Sequence, residues 1–214
     1  IAPGITCAGG RVPAPFQPLP ALYAPGDFAP GGPLWNAYLG DRYCLIPKDP
    51  SQPVVLDAHP AGAIDPLPGQ CRTIEPGHRV RLRDGLYYVG GDARVIRSRD
   101  RATIRATLTL VTAGALRLDD PDNAYELHPA LDDPQQGAPL LVAGGAITIT
   151  ILSQWQWEGL IFAGGGPVAL SAPVAWSDRG AIYGRVLGLS GGALNLTFDP
   201  AVCPPTGARV ELLR

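Results

Sequence analysis

The residues with the clearest chemical content are arginines. Arg79, Arg81 and Arg83 alternate along the chain, Arg97, Arg99 and Arg101 repeat the device, and Arg105 follows closely. Every second side chain of an extended strand leaves the same face, about 7 Å apart. A row of outward guanidiniums at that spacing attracts phosphates or acidic polysaccharide. It equally suits planar, bidentate pairing with carboxylates, either within the chain (Asp84, Asp92, Asp100 or the acidic loop after Asp119) or across a subunit contact. The chain holds one lysine, Lys48, and its formal net charge is −2, so this basic band sits in an otherwise acidic polypeptide.

Other reactive side chains carry weaker signals. His59, His78 and His128 stand apart, with no H-x-x-H or H-E-x-x-H spacing, and read as surface or capping residues. The pairs Asp119-Asp120 and Asp132-Asp133 have the oxygen chemistry of a calcium site or of the paired carboxylates of a glycan-cleaving enzyme. Their spacing is not that of an EF-hand loop, and a solvated acidic loop is the expectation. Ser171, Ser177 and Ser190 lack a G-x-S-x-G elbow, and Gly164 to Gly166 is followed by no Lys-Ser/Thr. Trp155 and Trp157 alternate, with Trp176 a repeat later. Outward they would form a strip for stacking on sugars or a partner, inward a core stack; Trp157 is assigned to the core and Trp155 is left open. No catalytic residue, cofactor or metal site is expected.

Four cysteines, Cys7, Cys44, Cys71 and Cys203, lie far apart with no Cys-x-x-Cys spacing. An even count in a proline-rich chain without methionine fits an oxidising, extracellular setting with one or two disulfides, placed to tie down the first third. Position 1 is not methionine, and Ile1 is expected to be a processed or excised start. No run of about 20 uncharged apolar residues is present, so no membrane-spanning segment is expected in this chain.

These side chains need strands to position them. Gly85-Leu86-Tyr87-Tyr88-Val89-Gly90-Gly91 recurs in degraded form at Leu108–Leu118, Leu140–Ile149, Gly159–Leu170 and Gly184–Leu196. Each copy is an apolar strand, a glycine corner and an alternating strand. Repetition every roughly 20–30 residues is the mark of a stacked β-solenoid. The alternation puts Val80, Leu82, Ile104, Ala106, Leu108, Leu110, Ile147, Ile149 and Ile151 inside, and Thr103, Arg105, Thr107, Thr109, Thr148 and Thr150 outside. A sandwich of hairpins would show two-residue turns, and only Asp84-Gly85 qualifies. Asp119 to Gln136 interrupts the repeat and is expected to project as a loop. With 27 Gly and 24 Pro, long helices are disfavoured. The fold class is therefore all-β, a parallel β-solenoid (β-helix) over 72–202. A Pro/Gly-rich, irregular and aromatic arm precedes it over 1–71, and a C-terminal strand or cap follows over 203–214. The arm's rings are expected to pack on the solenoid or on another subunit.

The order Glu75-Pro76-Gly77, Gly85-Leu86-Tyr87-Tyr88-Val89-Gly90-Gly91, Trp157-Glu158-Gly159-Leu160-Ile161-Phe162-Ala163, Ile182-Tyr183-Gly184 and Phe198-Asp199-Pro200-Ala201 resembles the β-solenoid region of PilX-like and Tad-type bacterial pilus-associated surface proteins. The resemblance covers about Arg72 to Val202. The hydrophobic N-terminal helix of pilin-like proteins is missing from this sequence, and the corners are more apolar than the family's. The resemblance implies an exported, cell-surface or pilus-tip rod without shared catalytic residues. The expected function is thus non-enzymatic: a structural or adhesive component of a pilus, filament or cell envelope. Its partners would be copies of itself or other pilus or envelope subunits, with surface glycan or DNA as further ligands. The alternatives are a polyanion-binding surface module using the arginine band, or a carbohydrate-active β-helix enzyme.

Overall fold

Alternating apolar and polar side chains, rich in Thr, Ile, Val and Leu, fold here into strands that are all paired in parallel. The computed structural model describes residues 23–59, 61–97, 102–120, 123–131, 138–151 and 153–196, with backbone alone at 174, 176–180, 189 and 191–196. The strands are β1 (Arg42–Pro47), β2 (Val54–Asp57), β3 (Cys71–Ile74), β4 (Arg79–Arg81), β5 (Gly85–Val89), β6 (Ala93–Ile96) and β7 (Thr103–Thr112). They continue as β8 (Leu116–Asp119), β9 (Ala124–His128), β10 (Pro139–Ala143), β11 (Ile147–Thr150), β12 (Gln154–Ala163), β13 (Val168–Tyr183) and β14 (Leu187–Leu196). Among the described residues, the only helical pieces are a 3-10 turn at Pro25–Phe28 and a short α1 at Pro33–Ala37, each opened by a proline.

The pairings sort into three rows. The first runs β3-β1-β5-β7-β10-β12-β13, using the C-terminal parts of β7, β12 and β13. The second runs β4-β2-β6-β8-β11-β13-β14. The third joins the N-terminal part of β7 to β9, β12, β13 and β14. Long strands therefore pass from one row to the next. In β12 the passage is at Gly159, whose φ is +87° and where a Cβ would run into the Ala138 carbonyl. Only glycine takes that conformation without strain.

Inward side chains of the three rows meet in one apolar cluster. Register neighbours stack like on like. Tyr87, Leu110, Leu141 and Ile161 form one such line, and Ala93, Leu116, Ile147 and Val168 another. Each fully buried Leu, Ile or Val contributes about 1.5–3 kcal/mol of transfer free energy. Trp155 and Trp157 are both fully buried and stack with ring centroids 4.2 Å apart. The neighbouring strand has Ala175 beside Trp155, small against large, so the layers interdigitate. Trp155, open on sequence, thus belongs to the core with Trp157.

The first row is buried on its outer face as well. Tyr23, Phe28 and Trp35 of the arm pack on Cys44, Leu86, Val111, Val142 and Phe162. Arg42 donates to the Trp35 carbonyl at 2.8 Å and lies 5.6 Å over its ring. A strand covered on both faces reads as a continuous apolar run, as Leu140-Leu141-Val142-Ala143 does. The arm's rings therefore rest on this chain's own sheet.

Three expectations change. Among the described residues, strands begin at Arg42, not Arg72: β1 lies between β3 and β5, so residues expected in the irregular arm form central strands. The interruption at Asp119 to Gln136 is not simply a projecting loop, because Ala124–His128 is β9, paired on both edges. Thr109 is on the outward side as expected, in register with Leu86, yet it is fully buried, because its strand has by then entered the doubly covered row. Its hydroxyl donates to the Pro139 carbonyl at 2.6 Å and accepts from the Leu131 N–H at 3.1 Å. The segments 197–202 and 203–214, including the expected C-terminal strand or cap, lie outside the described residues.

Candidate functional site

The arginine band is divided among separate tasks. Arg79 donates to Asp57 at 2.8 Å, and that carboxylate is fully buried. Its other oxygen accepts from the His59 N–H at 2.8 Å. A buried carboxylate must be paired and hydrogen-bonded to be tolerated, and removing its partner is costly. Arg81 and Arg83 both reach Asp65, at 3.1 and 2.7 Å, and Arg72 donates to the Asp65 carbonyl at 2.9 Å. The hydrogen bond from Arg83 and the charges of Arg81 and Arg83 hold the Asp65 carboxyl below its usual range, against slight desolvation.

Asp65 belongs to the segment between β2 and β3. Next to it, Ile64 bridges Val80 along the edge of β4 that faces away from β2. Ile64 accepts from the Arg81 N–H and donates to the Arg79 carbonyl, both at 2.8 Å. Arg81 and Arg83, with Arg72, are therefore a clasp that pins this segment over one end of the sheet, while Arg79 serves Asp57.

A disulfide reinforces the same end. Cys44 and Cys71 are direct register partners on β1 and β3 and are bonded to each other. Cys7 and Cys203 lie outside the described residues, as do Arg99 and Arg101. The charge of Arg97 opposes the rise in the Tyr125 phenol's pKa that burial and the Asp120 hydrogen bond produce.

Farther along, Arg94 and Arg105 each have an acid from the next strand. Arg94 pairs with Asp119 at 2.9 Å and Arg105 with Glu126 at 2.6 Å. The expected partners Asp84 and Asp92 instead accept backbone N–H bonds from Thr107 and Ala115, each at 2.8 Å. Arg117 stands beside Arg94 in register, exposed and with no carboxylate partner among the described residues.

Asp120 is buried rather than solvated. It accepts from the Tyr125 hydroxyl at 2.5 Å and the Asn123 amide at 2.8 Å. Asp132 and Asp133 lie outside the described residues. Among those described, no group of His, Cys, Asp and Glu is placed to hold a metal ion, and no helix is long and apolar enough to cross a membrane.

Sequence reading missed a cluster on the outer face of the third row. His128 lies 3.2 Å from Glu158 through Nδ1 and 3.6 Å from Glu126 through Nε2, and Glu126 also holds Arg105. The Arg105 hydrogen bond, followed by its charge and His128, draws the Glu126 carboxyl below its ordinary range against desolvation. Four side chains from three strands thus form one ionic ladder, with Gln154 and Gln156 beside it on β12. Trp176, described by its backbone alone, stands in register with Gln156 and not with Trp155 or Trp157. The signal for this cluster was the alternation Glu126-x-His128 and Gln154-x-Gln156-x-Glu158, legible only once β9 is recognised as a strand. No protein-family model, no curated protein and no solved structure matches this chain.

Proposed function

We propose that the three rows are the faces of one parallel β-solenoid, and that the chain is a non-enzymatic, extracellular structural or adhesive component of a pilus, filament or cell envelope. The observation that carries this reading is the register. From β7 onward, strand after strand in each row stacks directly on its counterpart roughly 20–30 residues earlier, over one shared apolar interior. Such a body is stiff and presents its outward positions in straight lines. The Cys44–Cys71 disulfide suits an oxidising compartment, and the motif order resembling PilX-like and Tad-type surface proteins points the same way. Negative-stain electron microscopy of the material from its native source tests the reading. Elongated particles or filaments at the cell surface are expected; compact particles confined to the cytosol would overturn it.

The adjacent Arg94 and Arg117 favour a second reading, binding of a polyanion such as DNA or acidic glycan. Binding to heparin that weakens steeply with salt and drops in Arg117→Ala would support it. Binding indifferent to both would remove it.

A further inference from the structure

The first strand of a stacked row has a strand neighbour on one side only, and an uncovered edge offers its N–H and C=O groups to any extended chain. In the second row that strand is β4, which stands last in the sheet and pairs with β2 on its inner side. Its outer side is taken by residues 61–66. Ile64 donates its N–H to the Arg79 carbonyl and accepts from the Arg81 N–H, both at 2.8 Å, in parallel register with Val80. Its side chain packs on the apolar interior. One residue thus fills the centre of the edge and covers the dry interior beside it.

Further contacts hold Ile64 there. The Ala61 N–H donates to His59 Nδ1 at 3.1 Å, and the His59 N–H to the buried Asp57 carboxylate of β2 at 2.8 Å. Gly62, with a φ of +75°, passes over the Arg79 side chain so closely that a Cβ would lie 3.1 Å from the guanidinium. The Asp65 carboxylate takes Arg81 and Arg83, and its carbonyl takes Arg72 of β3. The segment is thereby tied to β2, β3 and β4 together. It does not present a fresh edge in place of the one it covers, because the Asp65 carbonyl is engaged and Pro66 and Pro68 have no N–H to give. We infer that residues 61–66 are a cap that shuts this end of the second row against a strand of a second copy. With the cap displaced, the same edge of two copies pairs antiparallel about a two-fold axis. The inference goes beyond the surface-protein reading: assembly of copies, where it occurs, uses other surfaces than this one.

Amide exchange followed by NMR, with sedimentation velocity on the same samples of the full chain, tests this. All samples are held in about 0.5 M salt, which screens any arginine freed by substitution. In the parent, exchange at Arg81 should be slow and equal at about 50 μM and about 1 mM protein. Ile64→Pro/Asp65→Ala removes the donor to Arg79 and the partner of Arg81 and Arg83. At the lower concentration it should speed exchange at Arg81 by roughly tenfold or more. At the higher one exchange should slow again as a dimer forms. Exchange at Leu141 and Val142 should match the parent throughout, as it does when the stack is intact. If the variant loses that protection as well, Arg72→Ala/Arg83→Ala, which frees the segment from two of its anchors, carries the same comparison. The inference is overturned by Arg81 exchange that never accelerates, or by accelerated exchange in a variant that stays monomeric at the higher concentration. Protection in the parent that itself depends on concentration overturns it too. None of these readouts depends on whether the particle is elongated or where it resides, so the two readings fail separately.

Discussion

Removing the Cys44–Cys71 cross-link should loosen one end of the molecule and leave the rest intact. The bond joins residues 27 apart in sequence, and closing a loop of that length restricts the unfolded chain by about 3.5 kcal/mol at 25 °C. The strands it ties are unusual in order. The chain forms β1 and β2, steps outward to β3 and β4, and returns over them to β5, so β3 and β4 are an excursion at the edge. Opening them breaks the β1–β3 and β2–β4 pairings and the Asp65 clasp but none of the β1–β5 bonds. In Cys44→Ala/Cys71→Ala, amide exchange at Thr73, Ile74 and Val80 should therefore accelerate by up to a few hundredfold. Exchange at Leu141, Val142 and Ile161 should stay within about threefold of the parent. Mass spectrometry of deuterium uptake resolves both regions. Equal acceleration everywhere would refute the reasoning, because the edge would then not be a separate unit. No acceleration at β3 and β4 would refute it too, because the cross-link would then add nothing to the pairing.

Three further outcomes follow from the packing. Trp157→Ala should cost about 3–5 kcal/mol in urea unfolding, and Trp155→Phe clearly less, since the buried Trp155 indole N–H has no acceptor among the described residues to lose. Gly159→Ala should lower stability by about 1–3 kcal/mol, read as a fall in midpoint temperature, because of its φ of +87° and the Ala138 carbonyl beside it. The Asp65 carboxyl is depressed by Arg83 and Arg81, so its stabilisation is present above the unfolded value of 3.8 and is lost as pH falls through the folded one. Exchange protection at Ile64 and Val80 should accordingly fall in acid, and Asp65→Asn should show the same loss at neutral pH.

What could be read from the sequence was what is encoded locally. The alternation at Ile104, Ala106, Leu108 and Leu110 fixes which side chains turn inward, and all four are buried. Val80, Ile147, Ile149 and Ile151 follow the same rule. Thr109 keeps it, on the outer side beside Leu86, but is buried there against Leu131 and Pro139, a cover that local alternation does not encode. β1 and β2 were hidden by the prolines around them, although Tyr43-Cys44-Leu45 is as apolar as any later strand and sits between two neighbours. β9 was hidden because Ala124–His128 is only five residues long and flanked by Asp and Pro. The arginines were legible as a band, but their partners were not. Asp57, Asp65, Asp119 and Glu126 are each brought alongside by stacking and not by proximity in sequence.

Stacking also explains why those partners are where they are. In a parallel, in-register row each side chain lies next to its counterpart, so a repeated arginine meets another arginine. Arg94 beside Arg117 is such a pair, and like charges directly opposite are destabilising. Relief has to come from a neighbouring line on the same face or from a change of residue at the counterpart. Both devices occur. Asp119 is two positions beyond Arg117 and answers Arg94 diagonally, while Glu126 stands directly opposite Arg105. A strand repeat that copied itself faithfully would accumulate charge along each outward line. The degradation of the repeat on its outer face is therefore a condition for stacking, whereas its inner face is free to repeat Leu, Ile and Val.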